Sequence, residues 1–237
     1  MNKRLLMGVV SGFVVLGSVS HARAEEPQGF ELGARLGYGI PMGQVSDEDT
    51  DNDLSDGITG MIPLQLDVGY RVIPSLMVGG YVMYGFGFTG DSISENCDRA
   101  EALGADASCS VHDVRLGIQA QYHFLPGGKL VDPWLGAGIG YEWLSFGIET
   151  SRGGVSNELS STGHGFEFIN VQGGADFSVA PNFGLGPFLS LSVAQYSKAS
   201  ISCDGAGCDP GDTTSEDIDE KALHQWLMLG VRGTFVL

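Results

Sequence analysis

Acidic side chains at alternate positions are the first group in the sequence that could bind a ligand. The stretch 46–57 reads SDEDTDNDLSDG and contains Asp49, Asp51 and Asp53. Carboxylates with this spacing can converge on a hard cation such as Ca²⁺. A calcium loop, however, has a glycine after the third acid and a glutamate further on, whereas here Leu54 follows Asp53 and the glutamate is missing. A solvated acidic loop is therefore the preferred interpretation, and Ca²⁺ is the one candidate cofactor.

Histidines beside acids are the second group that could do chemistry. His112 precedes Asp113, and His164 lies in a later segment, but the sequence contains neither a G-x-S-x-G nor an H-E-x-x-H motif. The alternation around His112 and Asp113 is that of a β-strand, in which neighbouring side chains point to opposite faces. The pair is therefore not expected to act as a catalytic dyad, and we predict that the protein is not an enzyme.

The N-terminus has the composition of an export signal. Lys3 and Arg4 precede the apolar run LLMGVVSGFVVLGSV, and Ala22 and Ala24 fit the small-residue rule for cleavage. We predict a cleaved signal peptide over 1–24 and one domain over 25–237. The remaining chain carries 9 basic residues (12 less Lys3, Arg4 and Arg23) against 29 acidic ones, so nucleic acid is not an expected partner.

The four cysteines suit an exported chain. They are Cys97, Cys109, Cys203 and Cys208. An even count outside the cytoplasm indicates two disulfides, and four cysteines allow three pairings. Proximity in the chain favours Cys97–Cys109 and Cys203–Cys208. A zinc site is disfavoured because no C-x-x-C pair is present.

Apolar and polar residues alternate with a period of two in eight segments. The segments lie near 30–43, 58–72, 76–88, 112–124, 133–148, 166–179, 183–197 and 223–237. Each is long enough to cross a bilayer as a tilted strand of ~9–11 residues. Long connections (44–57, 89–111, 149–165 and 198–222) alternate with short ones (73–75, 126–133 and 180–182). This pattern predicts an all-β fold, an eight-stranded antiparallel up-and-down transmembrane β-barrel with short periplasmic turns and long outer loops.

Aromatic residues near the strand ends give independent support for a membrane barrel. They fall on the apolar face at two levels, which is typical of aromatic girdles. The outer set is Tyr38, Tyr84, Phe86, Phe88, Tyr141 and Trp143, and the periplasmic set is Phe30, Tyr70, Tyr122, Phe124, Phe177, Phe183 and Phe235.

A soluble lipocalin-like barrel is the alternative, but its polar face should be rich in Lys, Thr and Glu. Pro63 and Pro187 lie inside predicted strands and are expected to mark bulges or strand ends.

The polar face of these strands carries a few acids and bases. In PLQLDVGYRV (63–72), Asp67 and Arg71 lie opposite an apolar face, and the same parity on other strands holds further charges. The predicted lumen network comprises Glu31, Arg35, Asp67, Arg71, Asp113, Arg115, Glu142, Glu167, Asp176 and Arg232, with His123 on the same parity. A narrow barrel is filled by its own side chains, and a buried unpaired charge is costly. We predict a salt-bridged plug with the four arginines as its cations, and the alternative is separate solvation by lumen water.

The chain resembles the small outer-membrane barrels grouped around the OmpA transmembrane domain, OmpX and OmpW. The resemblance covers roughly 28–237 and rests on the signal peptide, the eight alternating segments and the terminal strand. Such barrels end on an assembly signal, G-x-x-Φ-x-Φ. In GVRGTFVL, Phe235 and Leu237 match the spaced positions, whereas Gly233 is one residue too close and the last residue is Leu.

The resemblance implies a place in the bacterial outer membrane, with membrane lipid as one partner. It also implies recognition of the C-terminal strand by the barrel-assembly machinery and a monomeric state. The expected role is structural or interactive at the cell surface. A narrow porin-like channel for small or apolar solutes is the first alternative, and an outer-membrane lipid-modifying enzyme is the second.

Overall fold

Antiparallel β-strands make up most of the part of the chain that the structure describes. The computed structural model describes residues 29–45, 53–127, 130–206, 208 and 213–237, so the predicted signal peptide (1–24), Asp49 and Asp51 lie outside it. The strands are β1 Gly29–Gly43, β2 Ile58–Ile73, β3 Leu76–Thr89, β4 Asp106–His123, β5 Val131–Arg152, β6 Val155–Ala180, β7 Phe183–Gly205, β8 Thr213–Asp217 and β9 His224–Val236. Two helices, α1 (Leu54–Gly57) and α2 (Asp91–Ala102), lie in the outer connections. None of the helices in these ranges is long and apolar enough to cross a bilayer.

Eight of the strands close into a ring. Each strand from β1 to β7 pairs with its neighbour in the chain, β7 pairs with β9, and β9 pairs with β1. The short β8 pairs only with the outer part of β7, so it lies outside the ring. Closure leaves no free edge within the membrane, which is the condition for a sheet to span lipid. The predicted eight-stranded antiparallel barrel is confirmed.

Alternation along each strand separates a lipid-facing surface from a filled interior. Leu66 and Val68 are 51% and 55% exposed, whereas Asp67 between them is 2% exposed. The girdle residues Phe30, Phe86 and Phe124 are likewise more than half exposed. The apolar face is therefore the outer face, which excludes the lipocalin-like alternative, where that face would be buried.

The outer connections contain more regular structure than the sequence predicted. The prediction of a loop over 149–165 is wrong, because β5 ends only at Arg152 and β6 already begins at Val155. The two strands meet at a tight turn. Its residues Gly153 and Gly154 have φ values of +61° and +84°, which glycine adopts without strain. Likewise, β7 extends into the expected loop 198–222 and β8 lies within it. These extensions are rich in Ser and Thr rather than apolar residues, so they lack the hydrophobic alternation that marks the membrane segments.

The two prolines interrupt strand pairing without a bulge or a strand end. Pro63 pairs in register with Gly85 of β3, while pairing with β1 stops at Leu64 and resumes at Met61 without a shift. Pro187 pairs with Val231 of β9, and its β6 side shows the same kind of gap. The prediction of bulges or strand ends at these prolines was wrong. Each proline interrupts the pairing with the strand on one side only, and the pairing with the strand on the other side keeps its register.

Two disulfides brace the outer connections. Cys97 of α2 is bonded to Cys109 of β4, with 6.3 Å between their Cα atoms. Cys203 of β7 is bonded to Cys208, with 5.6 Å between their Cα atoms. The pairing favoured by chain proximity is therefore confirmed. The first bond fixes α2 beside the outer end of β4.

Candidate functional site in the barrel lumen

The acids and bases predicted to face the lumen lie on the inner face of the barrel. None of the ten is more than 5% exposed. They are Glu31 and Arg35 (β1), Asp67 and Arg71 (β2), Asp113 and Arg115 (β4), Glu142 (β5), Glu167 and Asp176 (β6), and Arg232 (β9). They form three groups at successive levels, described here from the periplasmic end outward.

The periplasmic group is centred on Glu31. Arg71 Nε lies 2.6 Å from Glu31 Oε2, and Arg232 Nη2 lies 2.6 Å from Glu31 Oε1. Arg232 also lies 3.6 Å from Asp176 Oδ2, which links β9 to β6 across the lumen. Each carboxylate oxygen of Glu31 therefore has its own guanidinium partner, an arrangement of strong, charge-assisted hydrogen bonds.

His123 and Asp132 extend this group to the turn between β4 and β5. His123 Nδ1 lies 2.9 Å from Asp132 Oδ2, and its Nε2 lies 4.0 Å from Glu31 Oε2. The backbone N–H of Leu125 donates to Asp132 Oδ1 at 3.1 Å. Asp132 thus ties the periplasmic turn to the side chains that fill the lumen. Its position on the inward parity of β5 could have identified it from sequence.

The middle group is centred on the Arg35–Asp67 ion pair, in which Nε lies 2.7 Å from Oδ2. Gln119 Nε2 donates to the other oxygen of Asp67 at 2.8 Å, and Gln172 Nε2 donates to Gln119 Oε1 at 2.6 Å. Arg35 Nη1 closes the circuit by donating to Gln172 Oε1. The Arg35 guanidinium also lies 5.3 Å from the ring centroid of Trp134. The group therefore crosses the barrel from β1 and β2 to β4 and β6.

The outer group places three carboxylates around one arginine. Arg115 Nη2 lies 2.8 Å from Asp113 Oδ2 and 3.3 Å from Glu142 Oε1, and Nη1 lies 3.6 Å from Glu167 Oε1. All four side chains are at most 1% exposed. Such an arrangement needs further donors, because buried carboxylates without hydrogen bonds are strongly destabilising.

Tyrosine, tryptophan and histidine side chains surround Glu142 and Glu167. Tyr196 Oη donates to Glu142 Oε1 at 2.7 Å, and Trp226 Nε1 donates to the same oxygen at 3.2 Å. His224 Nε2 lies 3.1 Å from Glu142 Oε2. Tyr81 Oη donates to Glu167 Oε2. Sequence reasoning missed these aromatic donors, although each occupies the inward parity of its strand.

A bulge in β6 explains how Glu167 and Asp176 share one face despite opposite parity. The pairing between β6 and β7 shifts register between Glu167 and Ile169. Phe168 and Ile169 are 47% and 43% exposed and both face outward, so the alternation restarts one residue later. Strict period-two alternation in an unbroken strand would place only one of the two acids inside, so the bulge is the physical reason that both predicted residues face the lumen.

His112 and His164 lie on the outer face and are separated from the lumen acids by the barrel wall. His112 Nδ1 lies 2.9 Å from Tyr84 Oη, and His164 Nδ1 lies 2.6 Å from Tyr141 Oη. Asp113, by contrast, is fully buried on the lumen side. The structure therefore does not bring His112 and Asp113 together as a dyad.

The calcium hypothesis falls mostly outside the described residues. Of its three acids only Asp53 is described, where it is exposed and forms an isolated bridge with Gln44. Within the described ranges, no cluster of three or more His, Cys, Asp or Glu side chains has the geometry to hold a metal ion.

A closed antiparallel ring with an apolar outer face and a filled polar lumen defines a transmembrane β-barrel. The family model for the outer membrane protein beta-barrel domain matches residues 10–215. The chain therefore belongs to this family of bacterial outer-membrane proteins. The search of the curated proteins gives no match.

Several solved outer-membrane barrels are similar to this chain at low sequence identity. Neisserial surface protein A is 16% identical, with 88% of this chain and 98% of that chain covered and a TM-score of 0.42. A major outer membrane protein from Thermus thermophilus is 18% identical, with 88% and 99% covered and a TM-score of 0.49. OprG from Pseudomonas aeruginosa is 12% identical, with 90% and 99% covered and a TM-score of 0.48.

Proposed function

We propose that the protein is a closed outer-membrane barrel that displays a braced extracellular sheet, rather than a channel or an enzyme. The observation that carries this proposal is the filling of the lumen by ion pairs from β1, β2, β4, β5, β6 and β9. A conducting pore needs a continuous path of water along its axis. The three charged groups are stacked with aromatic side chains between them. The charged side chains are therefore almost without solvent exposure.

An apolar layer supports the same proposal at the outer end of the lumen. Leu54 of α1 is fully buried in one cluster with Ile58, Val111 and Leu144, each at most 1% exposed. The helix therefore acts as a lid over the outer charged group. An ion entering from outside would have to cross an apolar layer before it met the first charge.

The absence of catalytic geometry at the described histidines supports a non-enzymatic role. His112 and His164 bond to tyrosines on the outer face, and His123 and His224 are fully buried among lumen carboxylates. The imidazole ring of none of these four forms a hydrogen bond with a serine or cysteine side chain in the described chain. A lipid-modifying enzyme would need such a pair accessible at the outer rim.

The extracellular sheet supports a role at the cell surface. β6 has 26 residues, whereas a tilted strand needs only ~9–11 to cross the hydrocarbon core. β5, β6, β7 and β8 therefore continue as a sheet above the membrane, and the Cys203–Cys208 bond lies at the end of β7. A rigid, ordered platform of this kind suits display or contact better than solute passage.

Planar-bilayer conductance tests the closed-barrel proposal. The protein should give no steady conductance, whereas the double variant Arg35→Ser/Asp67→Ser should conduct small ions because it removes the central pair without leaving a lone charge. The exposed pair Lys198–Asp217, replaced by serine in the same way, is the matched control and should stay silent. A steady channel in the unmodified protein would contradict the proposal and favour the porin-like alternative.

The surface role has a separate test. Chemical cross-linking on intact cells should capture a neighbour through the sheet, and this product should vanish when 147–160 is replaced by a tight turn. An unchanged cross-linking pattern in the shortened protein, with the barrel still folded, would contradict the surface role.

A further inference from the structure

An apolar groove crosses the lipid-facing wall of the barrel over β5, β6 and β7. Its volume is about 530 Å³, and its outward walls are formed by Leu135, Val171, Leu189 and Leu191. The groove is centred on Gly173 of β6. In the pairing register Gly173 lies between Leu135 of β5 and Leu189 of β7, so one side chain is missing between two leucines.

Two consecutive glycines make the wall thin at this point. A Cβ atom on Gly174, which faces the lumen, would lie 2.9 Å from Trp134 Cζ2, so the indole packs against this glycine from inside. Gly173 faces the opposite way and places no side chain on the lipid side, where the end of the Leu135 side chain is its nearest neighbour. The floor of the groove is therefore rigid, because a buried tryptophan supports it from behind.

The groove opens toward the periplasmic turns. Phe124 and Pro133, which join its lining, lie at the periplasmic ends of β4 and β5, and the Phe124 N–H donates to the Pro133 carbonyl at 2.9 Å. Leu135 and Leu189 are 56% and 53% exposed on the same face. The groove is thus continuous with the surface that contacts membrane lipid in this family.

We propose that this groove binds one acyl chain of a phospholipid from the periplasmic leaflet. The walls are apolar, the volume falls in the ~300–1,000 Å³ range of small-molecule sites, and the opening lies where that leaflet begins. An acyl chain lying between Leu135 and Leu189 fills the missing side-chain volume and gains dispersion contacts on both sides. The site is independent of whether the lumen conducts.

Photo-cross-linking tests the site directly. The full protein is reconstituted in phosphatidylethanolamine and phosphatidylglycerol vesicles that contain a trace of phosphatidylethanolamine with a diazirine in its acyl chain. Mass spectrometry then compares labelling around Leu135, Leu189 and Leu191 with labelling at Leu36 and Leu66, lipid-facing leucines on β1 and β2. Labelling should be several-fold higher in the groove. Equal labelling on both sides of the barrel would overturn the proposal.

Glycine-to-leucine variants separate the groove from general lipid contact. Gly173→Leu fills the groove and should reduce its labelling to the level of Leu36. Gly80→Leu adds the same side chain to the outer face of β3 and should leave the groove labelling unchanged. A Cβ on Gly173 would first meet Leu135 Cδ2 at 2.7 Å, the end of a flexible side chain, so folding should be retained.

Gly173→Ala, a smaller change, should give an intermediate loss and serves if Gly173→Leu does not fold. Unchanged labelling in the folded Gly173 variants would overturn the proposal, as would an equal loss in Gly80→Leu. Asymmetric vesicles, in which the probe is confined to one leaflet, test which leaflet supplies the acyl chain. Groove labelling that arises only when the probe is confined to the outer leaflet would also overturn it.

Discussion

Arg35 Nε lies 2.7 Å from Asp67 Oδ2 on the neighbouring strand, and both side chains are 2% exposed. The pair therefore joins β1 to β2 inside the barrel, where water cannot replace either partner. Truncating one member of such a pair leaves the other charge buried and costs about 3–5 kcal/mol.

Arg35→Met should accordingly lower the free energy of unfolding by about 3–5 kcal/mol, and adding Asp67→Leu should recover much of that loss. Urea unfolding of the refolded protein in lipid vesicles measures both. Lys198→Met is the control, because the Lys198–Asp217 pair is exposed and such pairs contribute only about 0–1 kcal/mol. Equal effects of the Arg35 and Lys198 changes would show that the lumen charges are solvated separately.

Lipid-phase labelling should distinguish the two faces of β2. Cysteine at position 66 or 68 should react with a membrane-soluble thiol reagent, because Leu66 and Val68 are about half exposed toward lipid. Cysteine at position 67 or 71 should be protected from the same reagent. The reverse pattern, measured by mass shift in an otherwise cysteine-free protein, would invert the assigned faces.

Gly140→Ala should destabilise the barrel, because its Cβ would lie 2.5 Å from Tyr81 Oη and 2.7 Å from Glu167 Oε2. Overpacking of this kind costs about 1–3 kcal/mol. Gly163→Ala is a matched control on the same inner face, since its Cβ would have the Tyr196 ring as its nearest neighbour, at 3.6 Å. A chemical-denaturation midpoint equal in both variants would mean that Tyr81 is not fixed above Gly140.

Boiling should change the mobility of the protein on gels in mild detergent, because the closed ring has no free edge from which to unzip. The β signal in circular dichroism should be lost in parallel. Identical migration before and after boiling would argue against a closed barrel.

Reduction of the disulfides should leave the barrel folded. The Cys97–Cys109 and Cys203–Cys208 bonds close short loops outside the membrane, and each contributes at most ~3 kcal/mol. The reduced protein should keep its heat-dependent mobility while α2 and the end of β7 become sensitive to protease. Loss of the folded band on reduction would show that the barrel itself, and not only its outer connections, depends on the disulfides for stability.

Period-two alternation predicted which residues share a face, because parity fixes the face of each residue along a strand without a bulge. Ten residues of sequence place Asp67 and Arg71 on one face, and the alternation and aromatic residues of the other segments assigned that face to the lumen. Their partners could not be assigned, since Arg71 binds Glu31 and Asp67 accepts from Gln119 of β4. These contacts depend on the stagger between strands and on the diameter of the closed ring, which no single strand encodes.

The inward aromatic residues show a second limit of prediction from the sequence. Trp134 and Trp226 are each at most 1% exposed and contact Arg35 or Arg115, although tryptophan in a membrane barrel is usually sought at the interfaces. Parity places both inside, but residue type alone favours a girdle. The β6 bulge and the extracellular strands lie beyond sequence reasoning for a similar reason, because pairing rather than hydrophobicity maintains them.

The Glu31–Arg232 ion pair has a consequence for the order of assembly. Its members lie 201 residues apart, on the first and last strands of the ring. Until the final strand is made and docked, Glu31 lacks one of its two guanidinium partners, and an unclosed sheet would expose incompletely paired charges to lipid. Because closing so long a chain loop is entropically costly, the seam and the periplasmic charged group are expected to form together and late. Membrane insertion should then be a concerted event rather than a strand-by-strand entry.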